Sequence, residues 1–224
     1  GRGDKTASKT LNRATDTTRQ PGSTFKILAA YSAALDAGGL TLASVQDDAP
    51  YTYAGANGKS VNNYDRRYRG FTTLREAITD SINIVTVKTL AQAGVSLGWQ
   101  YVQEYGFTTV DSRDMNEALA LGGITQGVSN LELTAAYAAI ANQGTYIKPK
   151  FYTKILDHDG NVLIDNTTPE SHTVIKDTTA WLLTSAMEDV MTSGTGTSAY
   201  FGSSMAQAGK SGTTTSSRDA LFAG

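Results

Sequence analysis

The chain contains no cysteine. Disulfides, thiol nucleophiles and cysteine-ligated metals are excluded together, although this absence selects no compartment. Histidine is nearly as scarce, with only His158 and His172. His158 lies in Asp157-His158-Asp159-Gly160 between two alternating apolar runs, the setting of a hairpin turn, and His172 follows Pro169 in a polar stretch. Both read as loop residues, which leaves no histidine for a Ser-His-Asp triad and none for a metal centre. No metal and no cofactor is expected. Charge of one sign is missing too: 19 Lys and Arg stand against 21 Asp and Glu, a formal net charge of −2 that provides no field for gathering nucleic acid. The apolar runs are short and interrupted by Thr, Asp or Gly, so none could span a bilayer, and no signal peptide opens the sequence. If the protein works at a membrane, its anchor is expected outside this chain.

What remains is an ordinary globular composition, 40% apolar and 18% charged over 224 residues, long enough to bury a substantial core. Residues 24–37 carry apolar side chains at helical spacing and stop at Gly38-Gly39. Residues 44–71, rich in Tyr, Asn, Asp and Gly, read as an irregular surface excursion. Thr73-Leu74-Arg75-Glu76 and Ser129-Asn130-Leu131-Glu132 are capping boxes, the first opening a short helix, the second an Ala-rich one that ends near Gln143-Gly144. Further helices are expected over 83–92, 96–105 and, opened by Asp177, over 178–192, where a flexible Ser193-Gly194-Thr195-Gly196 follows. Residues 151–156 and 162–165 alternate around Asp159-Gly160 as a hairpin does. Met205–Ala208 and Lys210–Thr214 read as one strand. No repeat and no Pro/Ser linker divides the chain, so the fold class is α+β, one mixed domain of helices beside a small antiparallel sheet.

Three short patterns could carry chemistry. In Pro21-Gly22-Ser23-Thr24-Phe25-Lys26, Pro-Gly before an apolar helical run sets Ser23 at a helix N-terminus, where free N–H groups favour developing negative charge. Lys26 follows three residues later, so its amine can reach the face of the Ser23 hydroxyl. A serine hydroxyl attacks only if something removes its proton, and without a usable histidine a lysine held neutral is the substitute. The same residues also suit a plain N-cap and a first-turn lysine. Ser81-Ile82-Asn83 offers a hydroxyl able to relay protons and an amide able to hold a peptide backbone. Ser60-Val61-Asn62 matches it equally, and both suit ordinary loops. In Lys210-Ser211-Gly212-Thr213-Thr214, Gly212 lets a ligand approach the strand closely. Lys210, Gly212 and Thr214 would share one face and Ser211 and Thr213 the other, with strand twist bringing cation and hydroxyls towards one cleft. The alternative is a Thr-rich edge strand with a solvated lysine.

The order Ser-x-x-Lys, Ser-x-Asn, Lys-Ser/Thr-Gly-Thr resembles the serine acyltransferases inactivated by penicillin. The likeness runs nearly the length of the chain. Asn12-Arg13-Ala14, Arg19 to Lys26, Asn63-Tyr64-Asp65 with Gly70, Thr73 to Ala77 leading to Ser81, Leu121-Gly122-Gly123 with Gly127-Val128, Ala141 to Gly144 and Gly194-Thr195-Gly196 fall in the order seen in class A, bifunctional penicillin-binding proteins. The resemblance implies a β-lactamase/transpeptidase-like fold, an antiparallel sheet flanked by helices. It also selects Ser81 and Asn83 over Ser60 and Asn62, because the motif follows the Thr-Leu-Arg-Glu-Ala helix.

By that resemblance residues 1–224 are the core of a D,D-transpeptidase domain acting at the extracytoplasmic face of the bacterial cell membrane. Ser23 is the implied nucleophile, Lys26 its base and Ser81 the proton carrier to the leaving amine. Asn83 holds the donor amide, while Lys210 with the hydroxyls of Ser211 and Thr213 binds the terminal carboxylate. The backbone N–H groups of Ser23 and Thr213 form the oxyanion hole, worth about 3–4 kcal/mol per donor. The implied partners are peptidoglycan stem peptides ending in D-Ala-D-Ala, with β-lactams as covalent inhibitors and no nucleic acid. Family members carry strands upstream of Asn12 and a strand and helix downstream of the Lys210 strand. The fold is therefore expected to be incomplete at both termini, with the Lys210 strand left with an unpaired edge and no glycosyltransferase domain present. Arg2-Gly3-Asp4 matches an adhesion tripeptide and is read as coincidence at a terminus.

Alternatives within the superfamily are a D,D-carboxypeptidase, which differs in its acceptor, and a β-lactamase. Class A β-lactamases carry a Glu-x-x-x-Asn stretch between the second and third motifs, and none of Glu104, Glu117, Glu132, Glu170 and Glu188 has Asn at that spacing. A non-catalytic β-lactam or muropeptide sensor would keep the pocket without releasing D-alanine.

Overall fold

The computed structural model describes residues 8–54, 58–202, 204–214 and 219–224, so the adhesion-like residues 2–4 lie outside it. The apolar run predicted as a helix over 24–37 is helical, but it changes pitch twice. A 3-10 turn at Gly22–Thr24 leads through a π-helical turn at Ile27–Tyr31 into α1, Ser32–Asp36. Ser32 completes the wide turn, its N–H and its hydroxyl both donating to Ile27 O. Apart from Ser23, every residue from Gly22 to Ala34 is buried, including Phe25, Ile27, Leu28 and Tyr31 at 0% exposure. This segment is the axis of the core.

Around it pack α2 (Leu74–Thr79), α3 (Asn83–Ala93), α4 (Val95–Glu104), α5 (Asn130–Ala141) and α6 (Asp177–Thr192). Both expected capping boxes form. Thr73 Oγ1 accepts from Glu76 N while Glu76 takes the Thr73 N–H, and Ser129 and Glu132 repeat the arrangement at α5. Each cap stabilises its helix by about 1 kcal/mol. At α6 Lys176 holds the cap position without a side-chain bond, and Asp177 is the first helical residue, where its carboxylate faces the positive end of the dipole.

The strands are β1 (Thr18–Arg19), β2 (Val45–Asp48), β3 (Tyr51–Thr52), β4 (Ser60–Val61), β5 (Gly70–Thr73), β6 (Val128–Ser129), β7 (Thr145–Ile147), β8 (Lys154–Leu156), β9 (Val162–Asp165), β10 (Ser171–Thr173), β11 (Lys210–Thr213) and β12 (Ala220–Ala223). In place of one small sheet, the described residues form six two-stranded antiparallel ladders: β1 with β6, β2 with β5, β3 with β4, β7 with β10, β8 with β9 and β11 with β12. Strands this short pin loops to helices and do not build a layer of their own.

Four expectations change. Residues 44–71 are organised by two ladders, whose polar residues Asp48 and Asn63 turn inwards at 0% and 2% exposure and so disguise the pattern. His172 is a strand residue in β10, its ring 5.3 Å from that of Tyr146 and its Nε2 2.8 Å from Glu104 O. Ser193–Gly196, expected to be a flexible link, is pinned: Thr195 N–H donates to Thr79 O and Gly196 N–H to Val190 O. Met205–Ala208 does not extend the last strand, and β11 pairs along one edge with β12, from Lys210 opposite Ala223 to Thr213 opposite Ala220.

Candidate active site

Ser23 stands in the middle of the 3-10 turn, half-buried between wholly buried neighbours. That turn is held from three sides. Thr24 Oγ1 donates back to Pro21 O at 2.7 Å, the Tyr137 hydroxyl of α5 donates to Thr24 O at 2.7 Å, and Phe25 meets Phe107 edge-on with centroids 5.0 Å apart. Two glycines admit the neighbouring backbones. A Cβ on Gly212 would lie 2.6 Å from Pro21 O, and one on Gly122, at φ +72°, would lie 2.5 Å from Gly22 O. At such separations only hydrogen fits. The expected strand glycine thus serves the approach of β11 to the Ser23 turn, and Thr213's backbone lies against Gly22.

Lys26 is fully buried, and its ammonium has three acceptors: Asn83 Oδ1 at 2.6 Å, Ser81 O at 2.7 Å and Ser81 Oγ at 3.1 Å. None of its hydrogen bonds among the described residues goes to Ser23. The turn that presents these acceptors follows from local backbone chemistry. α2 closes in a Schellman motif, Ile82 N–H donating to Ala77 O and Ser81 N–H to Ile78 O. The left-handed position of such a motif favours glycine, yet Ser81 occupies it at φ 55°. A side chain kept where it costs about 1 kcal/mol points to a task for its hydroxyl. Asn83 opens α3, and its Nδ2 donates to Asn62 O at 2.7 Å, which turns Oδ1 towards Lys26. The rival pair is therefore separated: Ser60 is exposed in the β4 ladder, and Asn62 meets the site only through its carbonyl.

The third motif is split by its strand. Lys210 and Gly212 face inwards while Ser211 is half-buried and Thr213 exposed, the alternation expected of a strand. Twist does not bring the cation out beside those hydroxyls. Lys210 is 0% exposed, its Nζ bonded to Ser211 O at 3.2 Å, because the close approach of β11 to the Ser23 turn closes that face. Ser211 Oγ is paired with Thr195 Oγ1 at 2.8 Å, a partner that only the family order had marked.

Lys26 and Lys210 are thus both buried, and neither joins an ion pair with a carboxylate among the described residues. Burial, and after it the charge of Lys210, holds the Lys26 amine well below its ordinary value. Burial pushes Lys210 down to about 7. An ammonium with a pKa driven down loses its proton more readily than an ordinary lysine. As a neutral amine it has a lone pair and one N–H fewer, so the longest contact, to Ser81 Oγ, can reverse direction, the hydroxyl then donating. No group of His, Cys, Asp and Glu able to hold a metal occurs among the described residues.

The chain has known relatives. The family profile described as the penicillin binding protein transpeptidase domain matches residues 2–220. Penicillin-binding protein 1F of Bacillus subtilis is 39% identical over 223 residues, which cover 97% of this chain and 30% of that protein. Penicillin-binding protein 1A of Neisseria flavescens is 37% identical over 229 residues, covering 97% and 28%. The chain therefore spans about three-tenths of the length of these relatives. Among solved structures, penicillin-binding protein 1A of Haemophilus influenzae superposes with a TM-score of 0.83 at 28% identity, over 95% of this chain and 37% of that one. Penicillin-binding protein A of M. tuberculosis, solved as an imipenem acyl-enzyme complex, shares the fold with a TM-score of 0.82 at 22% identity, over 98% and 54%. The chain belongs to the penicillin-binding protein transpeptidase family. Within it, the chain is of the class A type represented by the 1A and 1F proteins.

Proposed function

We propose that this domain is a serine D,D-transpeptidase that cross-links peptidoglycan stem peptides through an acyl-enzyme on Ser23. The observation that carries the reading is a pair of buried lysines with no carboxylate partner among the described residues, Lys26 three residues after Ser23 and Lys210 on the strand packed against the Ser23 turn. A buried cation without an ion pair is costly, so it gives up its proton more readily and can serve as a base.

In the first half-reaction Ser23 Oγ attacks the carbonyl between the two terminal D-alanines, and its proton passes to the Lys26 amine. The oxyanion sits between the backbone N–H groups of Ser23 and Thr213, donors oriented in advance by the fold and worth about 3–4 kcal/mol each in such sites. The C–N bond breaks as Ser81 Oγ hands its proton to the leaving amine and recovers one from Lys26, so the departing D-alanine carries away the proton that Ser23 gave up. Asn83 holds the donor amide. Ser211 and Thr213 hydroxyls line the exposed face of β11 for the terminal carboxylate, and Lys210 acts on it as a charge from behind the strand. In the second half-reaction an amine from a neighbouring stem attacks the ester, its proton follows the same path in reverse, and Ser23 regains its hydrogen. A β-lactam presents an equivalent strained amide whose leaving nitrogen stays tethered, so the ester persists. Peptidoglycan lies outside the cytoplasmic membrane, which sets the place of action at the extracytoplasmic face. No described helix is long and apolar enough to cross a membrane.

The test is a fluorescent penicillin added to the full-length protein, with the adduct located by peptide mass spectrometry. A stable adduct is expected on Ser23 and is lost in Ser23→Ala. Labelling elsewhere, or labelling that survives Ser23→Ala, sinks the mechanism. An intact acylation with no D-alanine release from a stem peptide would instead identify a sensor.

A further inference from the structure

α3 begins with Asn83, yet it has no cap of its own, since Ile82 before it has only an apolar side chain. Its first free N–H groups are satisfied from a distance. Asn63 Oδ1 accepts from Asn83 N at 3.0 Å and from Ile84 N at 3.2 Å. Asn63 sits two residues beyond β4 and is 2% exposed. Its amide can face α3 with oxygen only because its nitrogen is claimed on the other side. Nδ2 donates to both carboxylate oxygens of Asp48, at 2.8 and 3.0 Å, and to Arg67 O at 2.8 Å. An ionised carboxylate can only accept, so it dictates which end of the amide it meets. Asp48 is itself 0% exposed, and it is anchored by the Arg69 N–H at 2.9 Å and the Arg69 guanidinium at 3.8 Å. The residue preceding Asn63, Asn62, fixes the Asn83 side chain through its carbonyl and so directs Oδ1 to Lys26.

We propose that Asp48 and Asn63 are positioning residues for acyl transfer: the buried Asp48 carboxylate orients the Asn63 amide, which holds the Ser81–Asn83 turn against Lys26. The proposal rests on the acylation of Ser23 proposed above. Both residues act through others, and neither touches substrate. A simple structural role would make them matter to folding alone, whereas the relay ends on the base. If the turn loosens, water reaches the Lys26 amine and its acceptors drift. The amine then moves back towards an ordinary lysine, because burial is the larger cause of its depression. Lys210 is the charged group that acts on Lys26, while its hydrogen-bond partners Ser81 and Asn83 are neutral.

The measurement is the second-order rate of acylation of the full-length protein by fluorescent penicillin, from about pH 6 to about pH 10, where a lysine lowered from its usual value titrates. Folding is monitored in parallel by circular dichroism and thermal unfolding. Asn63→Ala is expected to lower the rate near neutral pH by roughly 10- to 100-fold, the scale of a misplaced catalytic group, and to move the acid limb of the profile to higher pH. Asp48→Asn, which leaves an amide free to turn either way, is expected to do the same in smaller measure. The double exchange Asp48→Asn with Asn63→Asp reverses the polarity of the link but keeps it: the amide introduced at position 48 donates, and the carboxylate introduced at position 63 still accepts from the α3 N–H groups. It leaves Arg67 O without the Nδ2 donor and brings a negative charge nearer Lys26, so it is expected to recover part of the rate while the acid limb stays at higher pH. A loss that is uniform across pH in a folded variant, or a double exchange no better than either single change, overturns the relay. Should Asn63→Ala fail to fold, the comparison of Asp48→Asn with the double exchange decides alone. Wild-type protein unlabelled at Ser23 refutes the acyl-transfer reading, and the relay with it.

Discussion

The buried amine of Lys210 is expected to set stability against activity. In Lys210→Met a flexible apolar chain of similar length fills the same space. Among the described residues the lysine nitrogen makes one hydrogen bond, to Ser211 O, so the substitution leaves one acceptor unpaired at a cost of about 1 kcal/mol. Against that stands the cost of burying an amine. Burial holds it down to about 7 in the folded protein, and unfolding returns it to about 10.4. Between those values the unfolded chain binds one proton more than the folded one, so this group makes stability rise with pH, by at most about 1.4 kcal/mol per unit. Below the folded value both states carry the proton and the full destabilisation is present. Wild-type protein should therefore gain about 2–3 kcal/mol from this group between about pH 7.5 and about pH 9.5. Lys210→Met lacks that gain, and should be more stable than wild type by about 2–4 kcal/mol near pH 7, the difference shrinking as pH rises. Urea unfolding of both proteins at several pH values measures it. Working below pH 10 keeps out Tyr31 and Tyr105, whose hydroxyls burial pushes up; other shared groups cancel in the difference except Lys26, which the charge of Lys210 helps to lower. A difference that is constant across pH, or a variant less stable at pH 7, would refute the reasoning. Acylation should fall in the same variant. The acid limb of what remains should move to higher pH, since the charge of Lys210 is one cause of the lowered Lys26.

Other outcomes follow from the same geometry. Ser81→Gly puts glycine at a left-handed Schellman position; thermal unfolding should show equal stability or a gain of up to about 1 kcal/mol, while acylation drops by roughly 10²- to 10⁴-fold. A clear loss of stability would mean that the Ser81 hydroxyl is chiefly structural. Gly122→Ala adds a Cβ 2.5 Å from Gly22 O at a positive φ, so it should cost about 2–4 kcal/mol and displace the Ser23 turn; unchanged melting and acylation would show that the two turns can move apart freely. Lys26→Arg keeps a charge but cannot deprotonate, so acylation close to the wild-type rate would remove Lys26 from the base role.

Much of this protein was set by local sequence. The helices over 83–92, 96–105 and 178–192, both capping boxes and the hairpin around Asp159-Gly160 are readable because each depends on residues within a few positions of one another. The three chemical motifs were likewise present as short strings, and their collinear order distinguished Ser81 and Asn83 from Ser60 and Asn62. Tertiary structure decided what those strings meet. Lys26, a candidate base already on its spacing from Ser23, lies 55 and 57 residues from Ser81 and Asn83 in sequence but 2.6–3.1 Å from them in space. Lys210, which reads equally well as a solvated edge lysine, is buried because Gly212 lets β11 close on the Ser23 turn. The polar run over 44–71 hid its order for a related reason: Asp48 and Asn63 point inwards, and a buried polar residue is recognisable only by the partners that satisfy it. Alternation and capping report a residue's neighbours in the chain. Proton affinity depends on burial and on charges brought from elsewhere, and those exist only once the chain has folded.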